Sequence, residues 1–252
     1  MSFDVAADAY LRFMGRFAEP LADEFVEYAG VVTGQRVLDV GCGPGALTAR
    51  LVDRVGVGSV AAVEPSAPFV EAVAQRLPGI DVRRGSAEDL AYADDTFDAA
   101  LAQLVVHFMA DPLAGLREMA RVTRPGGTVA ACVWDHAGGT GPLSPFWVGV
   151  HDVDPDAPDE SNLAGSREGH LVELSEEAGL GDIEPGALSV TLHFATFDDW
   201  WEPFSLGVGP AGGYVAGLDA DGRDAVRAAC ARHLPPAPFD YTATAWAVRA
   251  RS

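Results

Sequence analysis

The chain has 252 residues and a formal net charge of −20 at pH 7, from 37 acidic residues and 17 basic ones, all of them arginine. So acidic a surface repels phosphate backbones and anionic bilayers, so we expect neither general nucleic-acid binding nor membrane binding. With 48% hydrophobic residues, the chain can form a full core, and its length suits one α/β domain.

The cysteine count and the N-terminal residues bear on the cellular compartment in which the protein is expected. The three cysteines, Cys42, Cys132 and Cys230, form no CxxC pair, so we predict neither a disulfide framework nor a metal site. Residues 1–10 contain two aspartates and no basic residue, unlike a signal peptide, and no apolar run is long enough to span a bilayer. We therefore expect a cytoplasmic protein.

The first half of the chain alternates short apolar runs with helical stretches. Residues 9–29 predict a helix interrupted at Pro20, which suits the first turn of a new helix. Five strands are predicted at 36–40, 59–63, 80–84, 97–102 and 128–133, with helices at 46–55, 68–76 and 112–122 between them. Such alternation is typical of right-handed βαβ units and a doubly wound parallel sheet.

Beyond residue 134 the pattern changes. Residues 135–169, rich in glycine, proline and acids, predict a long connection with some short helix, and 169–178 predict a helix. Alternating hydrophobicity at 188–194 and 242–249 predicts two further strands. Between them, 197–238 predict two helical pieces, the first of them aromatic.

The strongest motif is a glycine loop after the first strand of the alternating region. Gly41, Gly43 and Gly45 lie between that strand and a helix, where they let a ligand approach the backbone. Glu64 ends the next strand, about 20 positions further on, where a carboxylate can accept hydrogen bonds from both hydroxyls of a ribose. A dinucleotide fingerprint also fits, although Pro44 lacks the N–H that a pyrophosphate would use. An NAD(P)-dependent oxidoreductase therefore remains the alternative.

Further segments make the pattern more specific. Residues 37–45 (VLDVGCGPG) resemble the first motif of class I S-adenosylmethionine (SAM)-dependent methyltransferases. Later segments resemble further motifs of that family and complete the pattern of its type 11 branch. These segments are 60–66 (VAAVEPS), 85–98 (GSAEDLAYADDTFD), 101–108 (LAQLVVHF) and 118–129 (EMARVTRPGGTV). Residues 10–16 (YLRFMGR) and 133–135 (VWD) look like a bacterial subgroup of the small-molecule type.

The resemblance implies a Rossmann-like, doubly wound, seven-stranded sheet, mostly parallel. Its last two strands would form an edge pair, with one antiparallel edge strand. Residues 1–252 would be a single domain, with a SAM-binding core at 31–134 and a helical lid on the substrate side from 1–30, 135–170 and 195–240. Oligomeric state is not predicted.

The same resemblance implies a set of SAM contacts. The methionine side would be lined by Asp39, Gly41, Cys42, Gly43 and Gly45. The ribose would be held by Glu64, with Pro65 and Ser66 beside it. The adenine edge would meet Ser86, Ala87 and Glu88. Gln103 would approach the methionyl amino group, with Leu104 next to it. Tyr10 and Arg16 would close over the cofactor, with Arg16 pairing with its carboxylate.

Methyl transfer from a sulfonium needs alignment and exclusion of water more than a catalytic triad. His107, after the fourth strand, is the candidate base or acceptor contact, and a structural histidine is equally compatible with that position. Asp135 and His136 are expected to form a polar turn, and His151 with the following acids a solvated loop. Trp200, Trp201 and Phe204 fit either lid packing or a pocket wall. The predicted function is methyl transfer from SAM to a small organic acceptor; a non-catalytic SAM-binding domain would show the same cofactor residues.

Overall fold

The computed structural model describes residues 7–252, in which strands and helices largely alternate. The strands are β1 (Val37–Val40), β2 (Val60–Glu64), β3 (Asp81–Arg84), β4 (Phe97–Gln103), β5 (Thr123–Trp134), β6 (Gly181–Phe194) and β7 (Phe239–Arg251). The helices are α1 (Ala7–Tyr10), α2 (Arg16–Ala29), α3 (Ala46–Val55), α4 (Ala67–Arg76), α5 (Pro112–Val122), α6 (Ser144–Val153), α7 (His170–Ala178), α8 (Phe197–Trp201), α9 (Gly209–Gly217) and α10 (Ala220–Arg232).

The strands form one seven-stranded sheet in the order β3-β2-β1-β4-β5-β7-β6. The first five strands pair in parallel, and β7 pairs antiparallel with both β5 and β6. The predicted fold class and the edge pair of late strands are therefore confirmed. Within that pair the antiparallel strand is the inner one, since β7 lies between β5 and the edge strand β6.

Both faces of the central strands are buried, as in doubly wound sheets. Along β4, Ala99 and Leu101 pack with the cluster that includes α2, α3, α6, α8, α9 and α10, whereas Ala100 and Ala102 pack with α5 and α7. Small alanines at these positions allow helices to lie close to both faces. The order of strands reverses between β1 and β4, and in such sheets this switch point opens a crevice at the carboxyl ends of the strands.

The helices and strands of the first half lie within about two residues of their predicted positions, except that β5 begins earlier, at Thr123. The N-terminal helix differs more. Its irregular turn is a π segment at Leu11–Gly15, and Pro20 lies inside α2 rather than in the first turn of a new helix. The predicted interruption at Pro20 is wrong because proline loses only one hydrogen bond, to the carbonyl of Arg16 at the very start of α2.

We call helices α6, α8, α9 and α10, together with a 3-10 turn at Glu202–Leu206, the lid helices. Phe146 of α6 stacks on Phe204 of that turn, with ring centroids 4.5 Å apart. Trp200 and Trp201 are buried beside Phe204, so this aromatic group holds the lid together. No helix within residues 7–252 is both long enough and apolar enough to cross a bilayer.

Candidate functional site

A cavity of about 290 Å³ opens at the carboxyl ends of β1, β2 and β4, at the switch point of the sheet. Its volume is close to the lower end of the range for small-molecule sites. Its lining combines predicted cofactor contacts with apolar side chains: Tyr10, Gly41, Gly43, Glu64, Pro65, Phe69, Ser86, Ala87, Glu88, Leu104, Val105, Phe108, Met109 and Ala110. We call it the larger cavity.

The glycine loop forms one wall of the larger cavity. The backbone N–H groups of Gly41 and Cys42 both donate to the carbonyl oxygen of Val63, at 2.8 and 3.1 Å, which holds the loop against β2. Gly41 has φ +70°, and a Cβ there would lie 2.5 Å from Val105 Cγ1. Gly43 has φ +52°, and no heavy atom lies within 4 Å of where its Cβ would be. A side chain at Gly43 would therefore project into space that a ligand could use.

Glu64 lies at the end of β2 with its carboxylate held from two sides. Oε2 accepts the N–H of Gly43 at 2.9 Å, and Oε1 accepts the N–H of Ser66 at 2.9 Å. The side chain is buried, and burial raises its pKa even though both backbone donors oppose the shift. Each carboxylate oxygen has a second lone pair, so Glu64 can accept two ligand hydroxyls while it fixes the glycine loop.

Ser86, Ala87 and Glu88 form the opposite wall. The Oε1 atom of Glu88 accepts the backbone N–H groups of Ala110 and Asp111, at 2.8 and 3.3 Å. Glu88 thus connects the loop after β3 to the loop that leads into α5. The carboxylate therefore holds this wall of the larger cavity in place.

Leu104, directly after β4, separates the larger cavity from a second one. It has φ +60°, a left-handed conformation that costs a branched side chain about 1–3 kcal/mol. Its N–H donates to the carbonyl of Cys132 at 2.8 Å, which fixes the strained residue on β5. Backbone strain of this kind concentrates at functional sites.

The second, smaller cavity has a volume of about 40 Å³ and lies beneath the lid. It shares Tyr10, Leu104 and Phe108 with the larger cavity. Its other lining residues are Phe13, Met14, His107, Trp134, His136, Leu143, Glu160, Val208, Gly209 and Pro210. The larger and the smaller cavity therefore meet at one wall.

Besides Tyr10, three titratable side chains line the smaller cavity. Burial, followed by the neighbouring His136, holds the pKa of His107 well below its ordinary value. Burial lowers the pKa of His136 to about 4, and it raises that of Glu160 to about 7 although Trp147 donates to the carboxylate at 2.8 Å. The two imidazole rings, with centroids 5.8 Å apart, are consequently neutral at pH 7.

Several predicted contacts lie outside both cavities. Arg16 donates to the backbone oxygen of Asp199 at 2.6 Å and stacks over Phe194, and it lines neither of the two cavities. Gln103 donates to the carbonyl of Ala18 at 2.9 Å instead of facing the larger cavity. Both side chains connect the sheet or lid to the N-terminal helix, a packing role that sequence position does not reveal.

The remaining predicted contacts support the glycine loop from behind. Cys42 is buried against Ala62 and Val73, and Gly45, at φ +91°, precedes α3 as its N-cap. Ser66 contributes its backbone N–H to Glu64. Asp39 is buried and accepts the hydroxyl of Thr48 at 2.6 Å. These residues set the shape of the loop without lining the larger cavity.

Asp39 gives a test of this arrangement through pH. Burial raises its pKa from 3.8 to about 7, and the charge of Glu64 adds to the rise, while the Thr48 hydroxyl opposes it. A raised carboxyl pKa means that the unfolded chain loses its proton first, so stability falls as pH rises through the interval from about 4 to 7. Between pH 5 and pH 8 the free energy of unfolding of the parent should fall by about 2 kcal/mol more than that of Asp39→Asn. Urea unfolding at the two pH values measures the difference. An equal loss of stability in the parent and in Asp39→Asn would contradict the raised pKa of Asp39.

Other candidates from the sequence have structural roles. Asp135 accepts hydrogen bonds from the Gly138 N–H, the Thr140 hydroxyl and the Trp246 indole, as expected of a polar turn. His136, expected in the same turn, instead lines the smaller cavity. Within the described part of the chain, no group of three or more His, Cys, Asp or Glu side chains is placed to hold a metal ion.

The sequence did not point to most of the smaller cavity. Glu160 lies in an acidic stretch that resembles a solvated loop, yet it is only 4% exposed because the loop folds against Trp147. Phe13, Met14 and residues 208–210 come from distant parts of the chain. Val105 and Phe108, by contrast, lie within the motif at 101–108, so their place in the wall of the larger cavity could have been predicted from the sequence.

Comparisons with known proteins agree with this geometry. Residues 38–131 match the model of a family described as a methyltransferase domain. The chain is 37% identical over 135 residues to an uncharacterised methyltransferase of Mycobacterium tuberculosis, a match that covers 54% of this chain and 52% of that protein. The chain thus spans about half the length of the first of the curated relatives it matches.

A longer match and a solved structure extend the similarity. The chain is 30% identical over 195 residues to a demethylmenaquinone methyltransferase of Paenarthrobacter aurescens, covering 69% of this chain and 74% of that protein. Its fold is similar to that of the YcgJ protein from Bacillus subtilis, with a TM-score of 0.61, 17% identity, and coverage of 92% and 98% of the two chains.

Proposed function

The chain belongs to the class I SAM-dependent methyltransferases of the type 11 family, and on this premise we propose that it transfers a methyl group from SAM to a small organic acceptor. One observation carries the proposal: the larger cavity at the switch point is lined by both the glycine loop and Glu64. In folds of this kind, ligands bind in that crevice.

The residues of the larger cavity fit SAM. Glu64 would accept the ribose hydroxyls, with Pro65 beside it, and Ser86, Ala87 and Glu88 would flank the adenine. The open space next to Gly43, which a Cβ would enter, would admit the methionine portion close to the backbone. Tyr10, from the N-terminal helix, would cover the cofactor, because it lines both cavities.

SAM, when bound, supplies a methyl carbon that is already activated for displacement. The protein then has to align the acceptor and keep water out. Leu104 and Phe108 lie where the two cavities meet and would orient the two reactants. His107, neutral and buried, would accept the proton that an acceptor loses.

The names of two relatives and the net charge of the chain both favour a small organic acceptor. The relatives named for their substrates act on demethylmenaquinone and on 2-methyl-6-phytyl-1,4-hydroquinone, both small molecules. A formal charge of −20 disfavours nucleic acids as acceptors. We further propose that the protein acts in the cytoplasm of a bacterium.

The two rival functions are separable by experiment. Calorimetric titration with SAM and with NAD(P) distinguishes a methyltransferase from an oxidoreductase, and we expect binding of SAM alone. Production of S-adenosylhomocysteine with a library of small molecules then distinguishes an enzyme from a SAM-binding module. Tight NAD(P) binding without SAM binding would refute the proposal.

Glu64→Ala tests the ribose assignment. We expect SAM affinity to fall about 10- to 100-fold, the range for losing hydrogen bonds to a charged group. Calorimetry provides the affinity, and thermal unfolding shows whether the variant is folded. Glu71→Ala, an exposed glutamate on α4, is the matched control and should bind SAM as the parent does. A folded Glu64→Ala protein with unchanged SAM affinity would refute the assignment of Glu64 to the ribose.

A further inference from the structure

Residues that line the smaller cavity carry buried polar atoms without a hydrogen-bond partner. Such atoms are few within residues 7–252. Three of them belong to residues that line this cavity: Trp134 Nε1, His107 Nδ1 and His136 Nε2. Since buried polar groups are costly when unpaired, such a concentration indicates a place where a ligand supplies the missing partners.

The charges of the smaller cavity restrict that ligand. No arginine is among its lining residues in the described chain. Both histidines are neutral at pH 7, because burial lowers their pKa values. Glu160 contributes a carboxyl group whose pKa of about 7 leaves it partly ionised. An anionic ligand would therefore lose its hydration without gaining a positive partner, and the partly ionised Glu160 would repel it. A neutral ligand avoids both of these costs.

The walls of the smaller cavity favour a ring. Phe13, Phe108 and Trp134 line it together with Met14 and Leu143. Aromatic side chains bind flat apolar molecules through their faces and edges. The indole N–H of Trp134 can only donate, while each neutral imidazole has one nitrogen that accepts. A hydroxyl group on a ring can accept from the first and donate to the second.

We propose that the smaller cavity is the acceptor site and takes an uncharged phenol, which is methylated on oxygen. This proposal rests on the function proposed above. The C–S bond of SAM breaks, its electron pair stays on sulfur, and an O–CH₃ bond forms. The phenolic proton passes to His107, while Trp134 donates to the reacting oxygen. The products are S-adenosylhomocysteine, a methyl aryl ether and one proton, which leaves to solvent.

Binding of a ring requires the smaller cavity to widen. Its volume of about 40 Å³ holds water, whereas benzene fills an engineered cavity of about 150 Å³. The lid side of this cavity is formed by Val208, Gly209 and Pro210, at the start of α9, and an acceptor ring would have to displace part of the lining.

Calorimetry on the full chain saturated with S-adenosylhomocysteine tests the assignment. The probes are phenol, catechol, hydroquinone and 1-naphthol, each compared with its fully O-methylated ether. Benzoate and 3,4-dihydroxybenzoate are the anionic comparisons. We expect at least one phenol to bind ten times or more tightly than its ether and than the anions, and to yield its methyl ether when SAM replaces the product.

Trp134→Phe keeps a ring while it removes the indole N–H. We expect it to weaken phenol binding about tenfold, the effect of about 1.4 kcal/mol, and to leave SAM affinity unchanged. Trp200→Phe, a buried tryptophan outside both cavities, is the control and should change neither. If SAM binds but no phenol is bound or methylated, or if Trp134→Phe binds the phenol like the parent, the acceptor assignment is wrong. Absence of SAM binding would instead overturn the proposed function itself.

Discussion

We expect His107→Asn to lower the turnover of SAM by about 100-fold or more while SAM affinity stays within about twofold. His107 lines the smaller cavity and not the larger one, so it should act on the acceptor and not on the cofactor. A positioned base contributes roughly 100- to 10,000-fold to a proton transfer. Turnover is measured by S-adenosylhomocysteine release, and affinity by calorimetry.

The pH profile provides a second readout for the same residue. Because burial, and after it the neighbouring His136, holds the pKa of His107 well below its ordinary value, the ring is neutral at pH 7. Lowering the pH from 8 to 7 should therefore not reduce the parent's turnover through protonation of His107. A purely structural histidine would leave kcat unchanged when replaced, so long as the protein folds.

His193→Asn is the matched control. That histidine is exposed and pairs with Asp240 on the outer strands, at 2.8 Å. It should retain the parent's turnover and affinity. Equal losses of turnover and SAM affinity in His107→Asn would instead place His107 in the cofactor site.

The sequence was most informative where short segments act alone. The glycine loop, Glu64 and the stretch at 85–88 each adopt a local conformation between a strand and a helix, and strand order then brings them to one edge of the sheet. Because parallel strands all end at the same edge, residues at strand ends can be predicted to meet even without any knowledge of the lid.

The smaller cavity could not be predicted in the same way. Glu160, Phe13 and Val208 are brought together by packing of the lid helices on the sheet, and no local pattern encodes those contacts. Arg16 shows the converse difficulty. Its position in the motif predicts a cofactor contact, whereas in the structure its partners are the carbonyl of Asp199 and the ring of Phe194. Competition from such distant partners is invisible in one sequence.

Gly41 and Gly43, separated only by Cys42, should respond differently to the same substitution, which separates an effect on folding from an effect on binding. Gly41→Ala places a Cβ 2.5 Å from Val105 at φ +70°. Overpacking and a left-handed alanine should together lower the free energy of unfolding by about 2–4 kcal/mol. We expect urea unfolding to show this loss, and Val105→Ala in the same chain to restore part of it by removing the clash.

Gly43→Ala is the counterpart, because its Cβ meets no protein atom within 4 Å and Gly43 lines the larger cavity. Its φ of +52° predicts a loss of stability of only about 1 kcal/mol. SAM affinity should nevertheless fall at least tenfold, since the new methyl occupies space assigned to the methionine portion and displaces it from the loop. If folded Gly43→Ala bound SAM as the parent does, the methionine portion would not lie beside Gly43.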